Sequence, residues 1–468
     1  MKLMHAAIAA ALILPTTAFA DDAADLAAIR RDMDTLRAAY EARLQALERR
    51  LQAAEAALAG SAPAPGATTT TAAAPPPAAP APPATAPATT SAAAANAFNP
   101  AISLILSGLY ARTSKDPSRY AISGFQLPAD AEIGPGTRGL SLSETELGFA
   151  ASIDPWLRGA ATIAVAPDNS VSVEEAFVQT TSLGNGLSLK AGRFFSNIGY
   201  LNPQHAHTWD FVDSPLAYQA MLGSQYGDDG VQLTWLAPLD QFVEIGVELG
   251  RGRSFPGSDT SRNGAGMFAV TAHTGGDVGA SHSWRAGISM LRTKASEQGL
   301  VATDAAGDAI DNVFSGRTRT WVADAVWKWA PNGNATRTNF KLQGEYLRSE
   351  RRGDIVQDVG TSDLASIYRT RQSGWYVQGV WQFMPRWRVG VRTERLDPGR
   401  EDYGTESALV DLGNHRPRKH SVMLDFNPSE FSRVRLQLAQ DRARQGLTDT
   451  QWFLQYQMSL GAHGAHRF

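Results

Sequence analysis

The final strand-like stretch constrains this chain more than any other feature. From Thr450 it reads TQWFLQYQMSLGAHGAHRF, ending on Phe468. Extended, it puts Trp452, Leu454, Tyr456, Met458 and Leu460 on one side and Gln451, Gln455, Gln457 and Ser459 on the other. An apolar, aromatic face backed by a Gln-rich face suits a wall between lipid and water.

Composition narrows the options. The chain has 468 residues, a formal net charge of -3 and no Cys, so disulfides and thiolate chemistry are excluded. Its near-neutral charge gives no reason to expect a nucleic-acid partner. Past the N-terminus no apolar run approaches the ~20 residues of a spanning helix. A membrane protein without such runs has to be a closed barrel, because open sheet edges cannot sit in lipid.

The N-terminal residues predict an export signal over 1–20. Lys2 is followed by an apolar stretch from Ala6 to Leu14 and by a small-x-small cleavage site, Ala18-Phe19-Ala20. Residues 21–60 predict a coiled-coil helix. Leu26, Ile29, Met33, Leu36 and Tyr40, then Leu44, Leu47, Leu51, Ala54 and Leu58, follow 3-4 spacing, with charged residues on the other faces. So narrow an apolar stripe needs a partner, which self-association would supply. Residues 61–98 are dominated by Ala, Pro and Thr and predict an extended linker.

Residues 99–468 predict an all-β transmembrane barrel. Alternating runs place about sixteen strands at 102–112, 139–153, 157–166, 171–183, 187–195, 229–237, 241–250, 264–274, 282–293, 317–329, 335–349, 373–383, 386–397, 417–427, 432–442 and 450–462. Short turns rich in Pro, Asn, Gly and Asp occupy every second connection, as at 154–155, 184–186 and 384–385. Most of the others are long and polar: 113–138, 196–228, 294–316, 350–372 and 398–416. Barrels in outer membranes arrange periplasmic turns and outer loops in this way. An even strand count leaves both barrel ends, and hence the coil, on the periplasmic side.

Alternation also assigns faces. Val231, Leu233 and Trp235, the set Trp321, Ala323, Ala325, Trp327 and Trp329, the set Trp375, Val377, Trp381 and Phe383, and Val434, Leu436 and Leu438 are expected to face lipid. Opposite them lie ionisable groups too numerous for a dry core. Arg388, Arg392, Arg433, Arg435, Lys419, Lys341, Glu244, Glu248, Asp324 and Glu345 are expected to line a water-filled pore.

The stretch from Ser196 to Asp228 is too aromatic for a solvated outer loop. Tyr200, Trp209, Phe211, Tyr218 and Tyr226 call for a packing surface, which inward folding would provide. The expected constriction loop thus includes Tyr200, His205, His207, Trp209, Asp210 and Asp213. His205 and His207 share a side if extended, and with Asp210 and Asp213 they offer first-row metal ligands such as zinc takes. Hydrogen bonding that fixes the loop is the alternative role. His463 and His466, three residues apart on a strand, would face opposite ways.

The strand count, the loop after the fifth strand and the terminal Phe468 resemble general and phosphate-selective porins of bacterial outer membranes. More closely, Asn99–Ala111, Ala191–Asp213, Gln225–Pro238, Asn427–Gln437 and Ser459–Phe468 resemble predicted outer-membrane proteins, some labelled zinc-regulated outer-membrane receptors. The resemblance implies the outer membrane of a Gram-negative bacterium, lipid and the barrel-assembly machinery as partners, and no enzyme activity. Energy-coupled receptors use a plug domain and a 22-stranded barrel, whereas a coil and spacer precede this barrel. Expected, then, is a channel for small hydrophilic solutes or ions without a bound cofactor, assembled as a homotrimer through the periplasmic coil. The alternatives are a zinc uptake or binding component, and a structural envelope tether.

Overall fold

Ala101 begins an alternating strand that never meets an edge. The computed structural model describes residues 100–461 apart from 144, 260, 262, 304–307, 407 and 410–413. The expected export signal, coiled coil and linker, with His463, His466 and Phe468, lie outside the described residues. Strand β1 (Ala101–Thr113) pairs with the last strand in a register that sets Ser103 opposite Gly461 and Thr113 opposite Gln451. Its other side pairs with Gly139–Leu142 and Thr145–Ser152, which together make β2.

Antiparallel pairing then runs through β3 (Leu157–Val165), β4 (Val171–Thr180), β5 (Leu187–Phe195), β6 (Gly227–Leu236), β7 (Phe242–Gly250), β8 (Met267–Val278), β9 (His282–Thr303) and β10 (Ala309–Trp329). It continues through β11 (Asn339–Gln357), β12 (Leu364–Met384), β13 (Trp387–Asp397), β14 (Arg418–Ser429), β15 (Ser432–Asp441) and β16 (Asp449–Gly461). Glu401–Asp402 adds a short pairing to β12. The result is a closed ring of sixteen antiparallel strands.

The two faces of the wall follow the period of two. On β16, Trp452, Leu454, Tyr456 and Leu460 are exposed on the outside, while Gln451, Gln455 and Ser459 are buried within. Trp321, Trp327, Trp375, Trp381 and Phe383 are likewise exposed outside. Among the described residues no helix is long and apolar enough to cross a membrane. Turn chemistry fixes the register: Gly184, Asn185 and Gly186 all have positive φ, and a Cβ on Gly186 would lie 2.0 Å from the Leu236 carbonyl oxygen.

One part of the sequence reading is corrected. The stretches 294–316 and 350–372, expected as polar loops, are largely strand, because β9 to β12 are 22, 21, 19 and 21 residues long. Bilayer strands need only ~9–11 residues. Beyond that length the contrast inverts: Leu300, Phe314, Ile355 and Tyr368 are buried on the inner face while Arg352, Arg369 and Arg371 are exposed on the outer one, so the apolar-out pattern that marks the rest of the wall is missing.

The ring is not hollow. A helix, α1 (Leu216–Leu222), lies inside with every residue buried. It packs with Ile198, Leu201, Trp209 and Tyr226 against Val322, Leu347, Tyr376 and Leu396 of the wall. Ile122, Phe125 and Leu127, from the connection between β1 and β2, join the same cluster. An apolar core therefore sits inside a polar wall.

Candidate functional site

The connection between β5 and β6 leaves the wall through a hydrogen-bonded neck. The Asn202 amide donates to the carbonyls of Ser196 and Tyr226 at 2.8 and 2.9 Å and accepts from the Tyr226 N–H at 2.8 Å. Beside the neck, Glu248 accepts from the Ser196 hydroxyl at 2.5 Å and the Asn197 N–H at 2.8 Å. Glu345 on β11 then receives the N–H groups of Tyr200 and Leu201 at 3.1 and 3.0 Å and the hydroxyls of Tyr218 and Tyr376 at 2.8 and 2.5 Å. Gly199 fits this spot because a Cβ would come within 2.3 Å of the Glu345 carboxylate.

Farther along, the loop supplies carboxylates and the wall supplies cations. Asp210 contacts Lys341 at 2.5 Å and Arg388 at 3.4 Å and accepts from Gln378 at 3.0 Å. Asp213 contacts Arg392 at 2.9 Å and Lys419 at 2.6 Å and accepts from Gln437 at 2.8 Å. Burial alone would push both carboxyls up, but the adjacent cations, Lys341 and Arg388 for Asp210, Lys419 and Arg392 for Asp213, hold them below the ordinary carboxylate range. Arg435 is held by Asp425 at 2.7 and 3.0 Å and donates to the Trp209 carbonyl at 2.9 Å; Arg433 donates to the His207 carbonyl at 3.0 Å. Glu394 accepts from the Leu216 N–H at 2.5 Å at the start of α1.

All ten residues expected to line the pore point into the ring, but not alike. Arg392, Arg435, Lys419, Glu248, Asp324 and Glu345 are buried. Of these, Arg392, Arg435, Lys419, Glu248 and Glu345 grip the loop. Only Arg388, Lys341, Glu244 and Arg433 retain partial exposure. The expectation that the whole set meets a water-filled bore is thus corrected. An aromatic loop brought inside needs polar anchors, and the inner wall provides them.

The histidines face the opposite wall. His205 Nδ1 lies 3.3 Å from Glu146 and 3.2 Å from Glu174, and its Nε2 lies 3.0 Å from Glu175. His207 Nδ1 lies 2.6 Å from Glu146. Burial pulls His205 down, but the three carboxylates outweigh it and raise its pKa well above the ordinary value. The ligand set suggested by sequence is therefore corrected: Asp210 and Asp213 are taken up by Arg and Lys, and carboxylates from β2 and β4 stand beside the histidines instead.

Glu146, Glu174 and Glu175 escaped the sequence reading because nothing local joins them to a loop that follows β5. One signal was available. Glu174-Glu175 are adjacent acids in a strand, and only a bulge turns both inward. Gln126 was missed too. Its amide donates to Glu401 at 2.9 Å, and its oxygen accepts from Asn312 at 2.9 Å. The apolar trio Ile122, Phe125 and Leu127 in an otherwise polar connection was the clue that this loop also turns inward.

No family model matches the chain. An uncharacterised protein of Aquifex aeolicus (strain VF5) is 31% identical over 398 residues, which is 80% of each chain. Among solved structures, the outer-membrane protein OmpT of Vibrio cholerae is similar at a TM-score of 0.47 and 10% identity, over 77% of this chain and 99% of that one. OprB of Pseudomonas putida gives 0.46 and 13%, over 80% and 96%. An anion-selective porin from Comamonas acidovorans gives 0.45 and 10%, over 77% and 99%. Likenesses this weak decide nothing about what the chain does.

Proposed function

The chain belongs to one family with the Aquifex aeolicus protein, and we propose that it is a porin-like outer-membrane channel for small hydrophilic solutes or ions. The observation that carries this reading is a closed ring, apolar outside and ionic inside, narrowed by a loop fastened to its inner wall. Such a ring has no edge to satisfy in lipid and cannot fill a bore of this width with wall side chains alone.

The water path follows the inner faces of β7 to β11. There both ring nitrogens of His273 and both carboxylate oxygens of Asp324 are buried without a hydrogen-bonding protein group. Buried polar atoms of this kind need water. Partly exposed Glu244, Arg285, Lys328 and Lys341 continue the path towards the short turns. At that end Arg285, Lys328 and Lys341 outnumber Glu244 and the loop's Asp210, so the path favours anions.

Planar-bilayer recording of the purified chain tests this. Discrete conductance steps in potassium chloride are expected, with a reversal potential in a salt gradient that favours chloride. Insertion without steps would refute the channel, and a cation-favouring potential would refute the proposed path. We also propose periplasmic short turns and a trimer joined through the N-terminal helix. Cross-linking the full chain and a variant lacking residues 21–95 checks the trimer; equal yields would remove the helix from that role.

A further inference from the structure

The wall of β4 carries an irregularity opposite the loop. Between β3 and β4 the register shifts after Thr162: Glu175 pairs with Thr162, and Val173 pairs with Ile163. Glu174 is the extra residue. A bulge of this kind re-aims side chains, and here it turns two consecutive carboxylates onto the same inward side, where both reach His205. Glu146 comes from β2, and His207 stacks beside His205 with ring centroids 5.7 Å apart. Three separate stretches of backbone, β2, β4 and the inserted loop, thus converge on one spot.

Charge counting shows what the spot lacks. Glu146, Glu174 and Glu175 face two imidazoles and, beside Glu175, the Lys190 ammonium, so the spot is neutral only when both imidazoles carry a proton. The nearby Lys190 ammonium lies over the Phe177 and Phe194 rings, at 4.6 and 5.3 Å from their centroids. Glu146 is almost wholly buried, where an excess negative charge is costly.

Geometry agrees. Ligand atoms of Glu146, His205 and His207 all lie within 4.8 Å of one another. Donors bound at about 2.0–2.1 Å around a tetrahedral ion sit about 3.3 Å apart. The His205 Nδ1 separations of 3.3 and 3.2 Å from Glu146 and Glu174 match that spacing, and the 2.6 Å contact of His207 needs a shift of less than 1 Å. Glu175 contacts Nε2, the ring nitrogen not used for ligation. A carboxylate there fixes the proton on Nε2 and turns the Nδ1 lone pair towards the other donors, the usual outer support of a metal-bound imidazole. His205 and Glu174 keep partial exposure, which leaves an ion a way in.

We propose that His205, His207 and Glu146 bind a first-row divalent cation such as zinc, with Glu174 beside them and Glu175 orienting His205, and that the ion fastens the inserted loop to β2 and β4. The site is independent of conduction, since a closed ring without a through path would hold the same ion.

The test uses the full chain folded in detergent, stripped with EDTA and titrated with zinc chloride by calorimetry. Cobalt(II) in parallel reads coordination by visible absorption. One saturable equivalent per chain is expected, with the intense cobalt bands of a four-coordinate site. His205→Ala with His207→Ala is expected to abolish the equivalent, Glu146→Gln to weaken it at least tenfold, and Glu175→Gln to weaken it by about 10–100-fold. His463→Ala with His466→Ala keeps it. No saturable binding by the unmodified chain overturns the proposal even if the double variant fails to fold. So does retention of full affinity by a folded His205/His207 variant. Binding with unchanged planar-bilayer steps would leave the channel reading and this site both standing; loss of steps alone would sink only the former.

Discussion

The inserted loop is held on two sides by opposite chemistry. Towards β11 to β15 the loop offers Asp210 and Asp213, and the wall answers with Lys341, Arg388, Arg392 and Lys419. Towards β2 and β4 the loop offers His205 and His207, and the wall answers with Glu146, Glu174 and Glu175. Guanidinium and ammonium groups stay charged across the accessible pH range; imidazoles do not. One grip is permanent in ordinary conditions, and the other can be released by pH.

The largest effect should come from breaking the permanent grip. Arg392→Met leaves Asp213 and Glu394 buried with fewer counter-charges and is expected to destabilise the folded barrel by about 3–5 kcal/mol in a urea titration. A loss under about 1 kcal/mol would mean that water already screens this pair. Next comes the neck. Asn202→Ala removes three bonds and strands the Ser196 carbonyl and the Tyr226 N–H, while the Tyr226 carbonyl keeps the Ser196 N–H, for an expected cost of about 1–3 kcal/mol, with larger and noisier conductance steps.

The two grips also separate by pH in protein kept free of metal with EDTA. His205 is raised in the folded chain, so its contribution is complete below the ordinary imidazole value and is lost as pH climbs through the raised one. Asp210 and Asp213 are lowered, so theirs is complete above the ordinary carboxylate value and is lost as pH falls through the depressed ones. Stability in detergent should therefore fall on both limbs, and His205→Ala should remove the alkaline limb alone. The smallest effect is expected at the rim: Arg371→Ala, whose partner Glu350 lies 2.8 Å away at an exposed site, should change stability by no more than about 0.5 kcal/mol.

Sequence made the membrane-contacting zone of the wall legible because lipid on one side and polarity on the other force a period of two. Trp452 and Gln451, or Trp321 and Val322, are separable without coordinates. Val322 is already a warning: it is apolar yet faces inward, where the inserted loop at Gly199 lies against it. The upper reaches of β9 to β12 were illegible because there the apolar residues, such as Leu300, Phe314, Ile355 and Tyr368, face inward and the charged ones outward, the reverse of the pattern searched for. The loop's aromatic content predicted where it packs, but α1 itself is too short to announce a period. The histidine partners were hidden for another reason. Pairings such as His205 with Glu146 depend on how the ring closes, a property of the whole chain.

The four overlong neighbouring strands make the rim oblique. That flank stands higher than the rest of the ring, and the inward-turned first loop is bridged to it where Leu127 pairs with Val301. Strands such as Leu157–Val165 and Val171–Thr180, of 9 and 10 residues, leave the flank across the ring lower. In a channel of the proposed kind, approach to the mouth would be a matter of compass bearing as well as of size, with the imidazole pair standing on the low side.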